Sequence, residues 1–209
     1  MLKRAFDLLL ASAGMLLFAP VAVAIAALIK LEDGGPVFFA QDRVGAGCRV
    51  FRVSKFRSMV PGAERHTGPV QAVVDDPRVT KIGRLLRATA MDELPQLWSI
   101  LNGDMSFVGP RPLRPGERDR TAHGEMALAD IPGYVERHQV RPGLTGLAQV
   151  YAARDLPRTG KFRYDLLYRR RASFCLDLSL IARSIAITAL ARWDRSRSRH
   201  SGRKRQAPV

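Results

Sequence analysis

Leu8 to Ile29 is a run of 22 residues without a charged side chain, preceded by Lys3, Arg4 and Asp7 and followed by Lys30. A straight helix of that length measures roughly 33 Å at 1.5 Å per residue, enough to cross the hydrocarbon core of a bilayer. Three readings are open. A secretory leader would use the small-x-small pattern Ala22-Val23-Ala24 as its cleavage site. Against that, the apolar run continues to Ile29 and Asp7 interrupts the basic leader. A spanning anchor is the second reading. The third is a helix broken at Pro20 that enters and leaves the same face. Proline in a helix interior removes a backbone hydrogen bond at a cost of roughly 3 kcal/mol, although many spanning helices carry one. Basic residues at both ends favour keeping both on the cytoplasmic side.

Beyond the turn signal Gly34-Gly35-Pro36, the segments Val37 to Arg43 and Arg49 to Phe56 are rich in Val and Phe and flank Gly45-Ala46-Gly47. This pattern predicts a β-hairpin. It is not a nucleotide loop, because no third glycine and no helix follow at the required spacing. Pro61 to Pro77 reads as a polar loop, and Thr80 to Met91 as a basic amphipathic helix. Pro95 to Leu101 continues helically up to Asn102-Gly103. Pro110, Pro112 and Pro115 stiffen residues 109–116; Arg114 to Ile131 is predicted helical, and Gly143 to Gly146 a tight turn. Tyr164 to Trp193 is predicted as one helix with an apolar side formed by Leu176, Leu180, Ile181, Ile187 and Leu190.

Charge narrows the function classes. Thirty-four Lys and Arg against 19 Asp and Glu give a net charge of +15, so the surface seeks polyanions: nucleic acid, anionic lipid or phosphorylated ligands. Residues 192–205 hold seven Lys and Arg against one Asp, which reads as a disordered solubilising tail or a polybasic lipid contact. Cys48 and Cys175 share no metal or redox spacing and read as lone thiols in a reducing compartment. His66, His123, His138 and His200 show no zinc pattern.

The chemistry-bearing segment is Asp92-Glu93-Leu94-Pro95. Pro95 suits the first turn of a helix. That predicts a helix start near Met91 or Asp92, with both carboxylates at a positive dipole end beside free backbone N–H groups. Such a place suits phosphate, and two adjacent carboxylates can hold Mg²⁺ against phosphate oxygens. A carboxylate can also attack phosphorus. The structural alternative is a helix cap and dipole complement that needs no ligand. Arg87, Arg111, Arg137 and Arg141 lie in the surrounding segments, two of them next to prolines, where a fixed backbone suits bidentate phosphate binding.

Four motifs follow in order: Lys55-Phe56-Arg57-Ser58-Met59, Asp92-Glu93-Leu94-Pro95-Gln96-Leu97, Gly103 to Pro112 (GDMSFVGPRP) and Val140 to Val150 (VRPGLTGLAQV). Together they resemble the bacterial sugar transferase family, the monotopic polyprenyl-phosphate phosphoglycosyl transferases in their minimal catalytic form, from the N-terminal apolar segment to about Tyr168. The resemblance implies that Asp92 attacks the β-phosphate of a UDP-sugar, releasing UMP and retaining a sugar phosphate. Polyprenyl phosphate then takes that group in a ping-pong scheme with Mg²⁺. It implies Glu93 as assistant to metal and acceptor, Arg111 and the adjoining Pro110 in phosphate binding, and Arg87, Arg141 and Lys55 as helpers. The resemblance also favours a re-entrant helix kinked at Pro20. Two departures stand out: Ala19 occupies the place before the kink proline where serine is common, and Tyr151-Ala152-Ala153-Arg154 replaces a common Asn-Gly-Arg.

The expected protein is α+β and mainly helical. It has a kinked re-entrant membrane helix over 1–32, a compact helical catalytic domain with a β-hairpin at the membrane surface over 33–191, and a basic tail over 192–209. Its expected partners are a UDP-sugar, polyprenyl phosphate and lipid of the bacterial inner membrane, with the catalytic domain on the cytoplasmic face and no nucleic acid. A homodimer is compatible with the sequence, but nothing in it requires one. Two rivals come from other classes: a membrane-tethered nucleic-acid-binding protein, which the 7% aromatic content does not favour, and a non-catalytic membrane scaffold, which would not need an intact Asp-Glu pair.

Overall fold

The computed structural model describes residues 2–63, 76–121, 124–153 and 156–190. Most of the polar segment from Pro61 to Pro77, Arg154 and the basic tail from Arg192 to Arg205 lie outside the described residues.

The uncharged run forms the core of one helix, α1 (Leu2–Asp33), which continues through Pro20 and is long and apolar enough to cross a membrane. Its buried residues fall in two groups, Asp7 with Ala11 and Ile25 with Ile29. Between them Met15, Leu16, Leu17, Phe18, Val21 and Val23 are exposed. Both ends are fastened to the rest of the protein. Arg4 donates to the carbonyls of Ile100 at 2.5 Å and Leu101 at 2.8 Å, in the last turn of α3 (Gln96–Asn102), where the helix dipole favours a cation. Lys3 donates to the Val108 carbonyl and to Asp177, and Asp7 accepts the Phe107 N–H. At the other end Asp33 pairs with Arg57, whose Nε–H donates to the Pro36 carbonyl at 2.6 Å. Glu32 accepts the backbone N–H groups of Lys81 and Ile82 at the start of α2 (Lys81–Thr89), while Thr80 caps that helix through the Gly83 N–H.

The predicted hairpin is present as β1 (Phe38–Val44) and β2 (Val50–Phe56), antiparallel, with Phe38 opposite Phe56 and Val44 opposite Val50. β3 (Ser106–Val108) pairs in parallel with β6 (Gly143–Thr145), so the segment predicted as a tight turn is a short strand. Glycine is required there for close backbone approach: a Cβ on Gly109 would stand 2.2 Å from the Arg141 carbonyl oxygen, and one on Gly143 2.0 Å from the Gly109 nitrogen.

Two further expectations are corrected. Arg114 to Ile131 is not a helix; it holds the hairpin β4 (Arg118–Thr121) and β5 (Gly124–Ala127), followed by a single 3-10 turn, Leu128–Asp130. Gly116 and Gly124 adopt positive φ at its bends, which no helix accommodates. Tyr164 to Trp193 is two helices, α6 (Arg158–Arg171) and α7 (Phe174–Ala189), parted where Ser173 takes extended backbone and caps the Leu176 N–H. Two short helices complete the described residues, α4 (Tyr134–Arg137) and α5 (Leu147–Tyr151). The architecture is mainly helical with a few short strands, as expected.

Apolar burial joins α1 to the remainder at two places. Ala11 packs with Val53, Leu97, Ile100 and Met105; Ile25 and Ile29 pack with Phe56 and Leu86. Leu113, Leu128, Ile131 and Phe162 form another cluster, and Val108, Tyr168 and Leu180 a fourth among the described residues. At roughly 1.5–3 kcal/mol per fully buried large side chain, the two α1 clusters make this helix an integral part of the core.

Candidate active site

Asp92 and Glu93 lie in one 3-10 turn, Met91–Glu93, between α2 and α3. The regular helix begins only at Gln96, after Pro95, so the carboxylates sit before it rather than in its first turn. The cause is Ala90, which ends α2 in the left-handed region at φ 55° and redirects the chain; for a non-glycine residue this conformation costs on the order of 1–2 kcal/mol. The tight turns that follow engage the N–H groups of Glu93 and Leu94 with the carbonyls of Ala90 and Met91. These two N–H groups are therefore engaged within the turn, contrary to the sequence expectation, and the positive groups beside the carboxylates are side chains.

Those side chains come from two rigid supports. On the hairpin, residues opposite one another share a face. Lys55 and Val53 on β2 therefore lie on the same face as Phe39, Gln41 and Arg43 on β1. Val53 anchors that face in the core, and Lys55 beside it reaches Glu93, with Nζ 2.5 Å from Oε1. The second support is Pro110-Arg111-Pro112. Its three consecutive carbonyls are each held by a donor: Pro110 by the Gly143 N–H at 2.9 Å, Arg111 by Arg137 Nη2 at 2.9 Å, and Pro112 by Arg43 Nη1 at 3.0 Å. From this clamped backbone Arg111 Nη2 also donates to Glu93 Oε1, at 3.0 Å.

The two carboxylates are electrostatically unlike. Burial works against ionisation of Glu93, but Lys55 and Arg111 hold its carboxyl well below the usual carboxylate range. Asp92 has no side-chain ion pair or hydrogen bond among the described residues. Burial, and then the negative Glu93 beside it, push its carboxyl up to about 6, against the opposing pull of Lys55, Arg87 and Arg111. Arg43 is lowered to about 10 by burial and by the neighbouring Arg111 and Arg114, and so stays cationic at neutral pH.

Under this layer Arg137 is almost wholly buried, paired with Asp165 through Nε at 3.0 Å and Nη2 at 2.8 Å, and stacked 4.7 Å from the Phe162 ring centre. Its bond to the Arg111 carbonyl ties that buried pair to the site.

Lys55, Arg87, Asp92, Glu93 and Arg111 all line one cleft of about 1310 Å³. Pro110 and Arg141 do not line it. Pro110 is buried and acts through its carbonyl; the Arg141 side chain is exposed, and its backbone passes against Gly109. The structure adds Arg43 and Gln96, which with Lys55, Glu93 and Arg111 line a small recess beside Glu93. The buried Gln96 Nε2 has no protein partner there. Arg43 was accessible to sequence reasoning only through the hairpin register, and Gln96 only through its place three residues after Glu93. Cys48 and Cys175 are both free and exposed.

Comparison with known proteins bears on this site. A family model described as bacterial sugar transferase matches residues 1–191. The exopolysaccharide production protein PSS of Rhizobium leguminosarum bv. phaseoli is 43% identical over 185 residues, covering 86% of this chain and 91% of the relative. A UDP-glucose:undecaprenyl-phosphate glucose-1-phosphate transferase of Caulobacter vibrioides is 43% identical over 190 residues, 88% of this chain and 68% of the relative. The UDP-N-acetylgalactosamine-undecaprenyl-phosphate N-acetylgalactosaminephosphotransferase of Aeromonas hydrophila is 42% identical over 187 residues, 88% of this chain but only 43% of the relative. The chain thus spans nearly all of the Rhizobium relative and less than half of the Aeromonas one.

Proposed function

The chain belongs to the bacterial sugar transferase family, and from that premise we propose that it transfers a sugar 1-phosphate from a UDP-sugar to polyprenyl (undecaprenyl) phosphate. The products are a polyprenyl diphosphosugar and UMP, and the step would open cell-surface glycoconjugate or exopolysaccharide synthesis at the membrane. The observation that carries the reading is the contrast between the two carboxylates: Glu93 is fixed by Lys55 and Arg111, while Asp92 beside it stands unpaired in the cleft.

In the first half-reaction an Asp92 carboxylate oxygen attacks the β-phosphorus. The bond from that phosphorus to the bridging oxygen breaks, and UMP leaves with the oxygen and its electron pair. In the second, an oxygen of polyprenyl phosphate attacks the same phosphorus and the Asp92 carboxylate is released. Attack by an anion on a doubly charged diphosphate needs fixed positive charge nearby. Lys55, Arg43, Arg87 and Arg111 supply it, and the clamped Pro-Arg-Pro backbone removes the cost of orienting Arg111 at the moment of reaction.

Mg²⁺ fits the donor set. Among the described residues no third His, Cys or acidic side chain joins the two carboxylates, and Glu93 Oε1 already faces two cations. A hard cation that takes one or two carboxylates and completes its shell with water and phosphate oxygens suits such a place. Asp92 and the second oxygen of Glu93 would hold it, and when bound it would offset phosphate charge.

The placement of α1 favours the re-entrant reading over a spanning one. Its first turns are bonded to α3, β3 and α7, and its last to Arg57 and the start of α2. With both ends held by the catalytic part of the chain, the exposed apolar middle around Pro20 would face lipid. Together with the basic flanks this supports an inner-membrane protein with its catalytic part on the cytoplasmic face.

Purified protein in detergent with undecaprenyl phosphate, Mg²⁺ and a panel including UDP-glucose and UDP-N-acetylgalactosamine should form UMP and a lipid-linked diphosphosugar with at least one donor. Formation of UDP instead of UMP would show glycosyl rather than phosphoglycosyl transfer and refute the reading.

A further inference from the structure

The cleft that holds Asp92 continues away from the charged side chains between α1 and α7. The two helices are clasped at their beginnings, where Lys3 bonds Asp177 and the Phe6 ring meets Phe174 edge-on, centroids 5.2 Å apart. Past the clasp the cleft wall is apolar along α1 and mixed along α7, where Ser184 and Thr188 stand beside the isoleucines. Leu10, Gly14 and Phe18 follow at four-residue spacing on α1, Ile181 and Ile185 at the same spacing on α7, and Leu97 lies between. Residues spaced by four share one helix face, so α1 turns a single apolar face to this groove. Leu10 to Phe18 runs about 12 Å along the helix.

Gly14 is informative. A glycine in mid-helix weakens the helix relative to alanine. A Cβ at this position would stand 3.2 Å from the Cδ1 methyl of the buried Leu97, which would have to give way. The missing side chain leaves room for Leu97 and for the groove that both residues line. The groove thus combines a cationic end at Lys55, Arg87 and Arg111 with an apolar length walled by α1. That is the complement of an amphiphile with an anionic head and a hydrocarbon tail.

We propose that the groove between α1 and α7 holds the first isoprene units of the polyprenyl phosphate acceptor, with its phosphate directed to Asp92. The proposal rests on the transferase reading and adds to it a site for the lipid tail. The tail enters from the bilayer along α1, and the donor nucleotide occupies the polar remainder of the cleft. Gly14 and Ile185 then select the acceptor without touching the donor.

The test separates the two half-reactions in full-length protein. Gly14→Leu fills the groove; Ile185→Asp, at a position 63% exposed and so harmless to folding, places a charge in it. In both variants the first-turnover release of UMP from the UDP-sugar, measured without acceptor, should match the parent protein. KM for undecaprenyl phosphate and for farnesyl phosphate should rise about tenfold or more, with kcat at saturation little changed. Unchanged acceptor KM in Ile185→Asp would overturn the proposal while leaving the transferase reading intact. Absence of UMP release from the parent protein with every donor would instead defeat the reading beneath it. Phosphatidylglycerol added to the micelles should not compete with farnesyl phosphate; competition at comparable concentration would identify the groove as a general phospholipid site and overturn the proposal.

Discussion

Lys55 Nζ stands 2.5 Å from Glu93 Oε1, and the same oxygen accepts from Arg111, so two cations of the site converge on the second carboxylate and leave the first unpaired. Two adjacent residues of almost the same chemistry thereby acquire different properties. Glu93 remains ionised across any physiological pH, whereas Asp92, raised to about 6, titrates close to it.

That difference gives a pH dependence. Asp92 must be ionised to attack phosphorus, so kcat/KM for UMP release in the absence of acceptor should fall tenfold per pH unit on the acid side, below about 6 at limiting Mg²⁺ and from a lower pH as Mg²⁺ saturates the carboxylate. Stability runs the opposite way. Between an ordinary aspartate value near 4 and the folded value near 6, the native state binds more protons than the unfolded one, so stability declines as pH rises through this window. Above it, burial of the ionised group costs on the order of 1–3 kcal/mol. Asp92→Asn should therefore abolish UMP release yet raise the melting temperature at pH 7.5, with the gain disappearing toward pH 4. A lower melting temperature for Asp92→Asn at neutral pH would contradict this account.

Glu93→Gln removes the negative neighbour that helps hold Asp92 high. The acid limb of UMP release should move to lower pH, although the rate itself drops because Lys55 and Arg111 lose the group that fixes them. With the Arg111 side chain 42% exposed, solvent moderates the loss of the two pairs to about 1–3 kcal/mol. Thermal melts in detergent and a pH–rate profile on the same variant check both halves of this statement.

The buried Arg137–Asp165 pair supports the site from beneath. Asp165→Asn leaves a guanidinium without its counter-charge in a dry setting, which should cost about 3–5 kcal/mol. The double variant Arg137→Met with Asp165→Leu should recover most of that stability. It should not recover activity, because the Arg111 carbonyl has then lost the donor that clamps it. Full activity in the double variant would show that Arg137 serves packing alone.

The parts of this site legible in the sequence are those encoded over short spans. Alternating Val and Phe around glycines predict the hairpin that carries Lys55, and the prolines around Arg111 predict a stiff backbone. The remainder depends on contacts between distant segments. Arg137 and Asp165 are 28 residues apart and become a pair only when α4 meets α6. Arg43 reads as one more charge in a basic chain until the strand register sets it on the face shared with Lys55. Ala90 carries no glycine signal for its left-handed backbone, so the tight turn that removes free N–H groups from the carboxylates could not be foreseen. The break between α6 and α7 did leave a local trace, because Ser173 precedes the apolar run as an N-cap residue should.

The central claim, that Asp92 is the nucleophile, is tested most directly by intact-protein mass spectrometry after mixing the purified chain with a competent UDP-sugar and Mg²⁺ but no lipid acceptor. The account predicts one equivalent of UMP, a mass increase equal to one sugar phosphate, and a modified peptide containing Asp92, all three lost in Asp92→Asn. UMP appearing only when polyprenyl phosphate is present, with no mass increase on the protein, would contradict it.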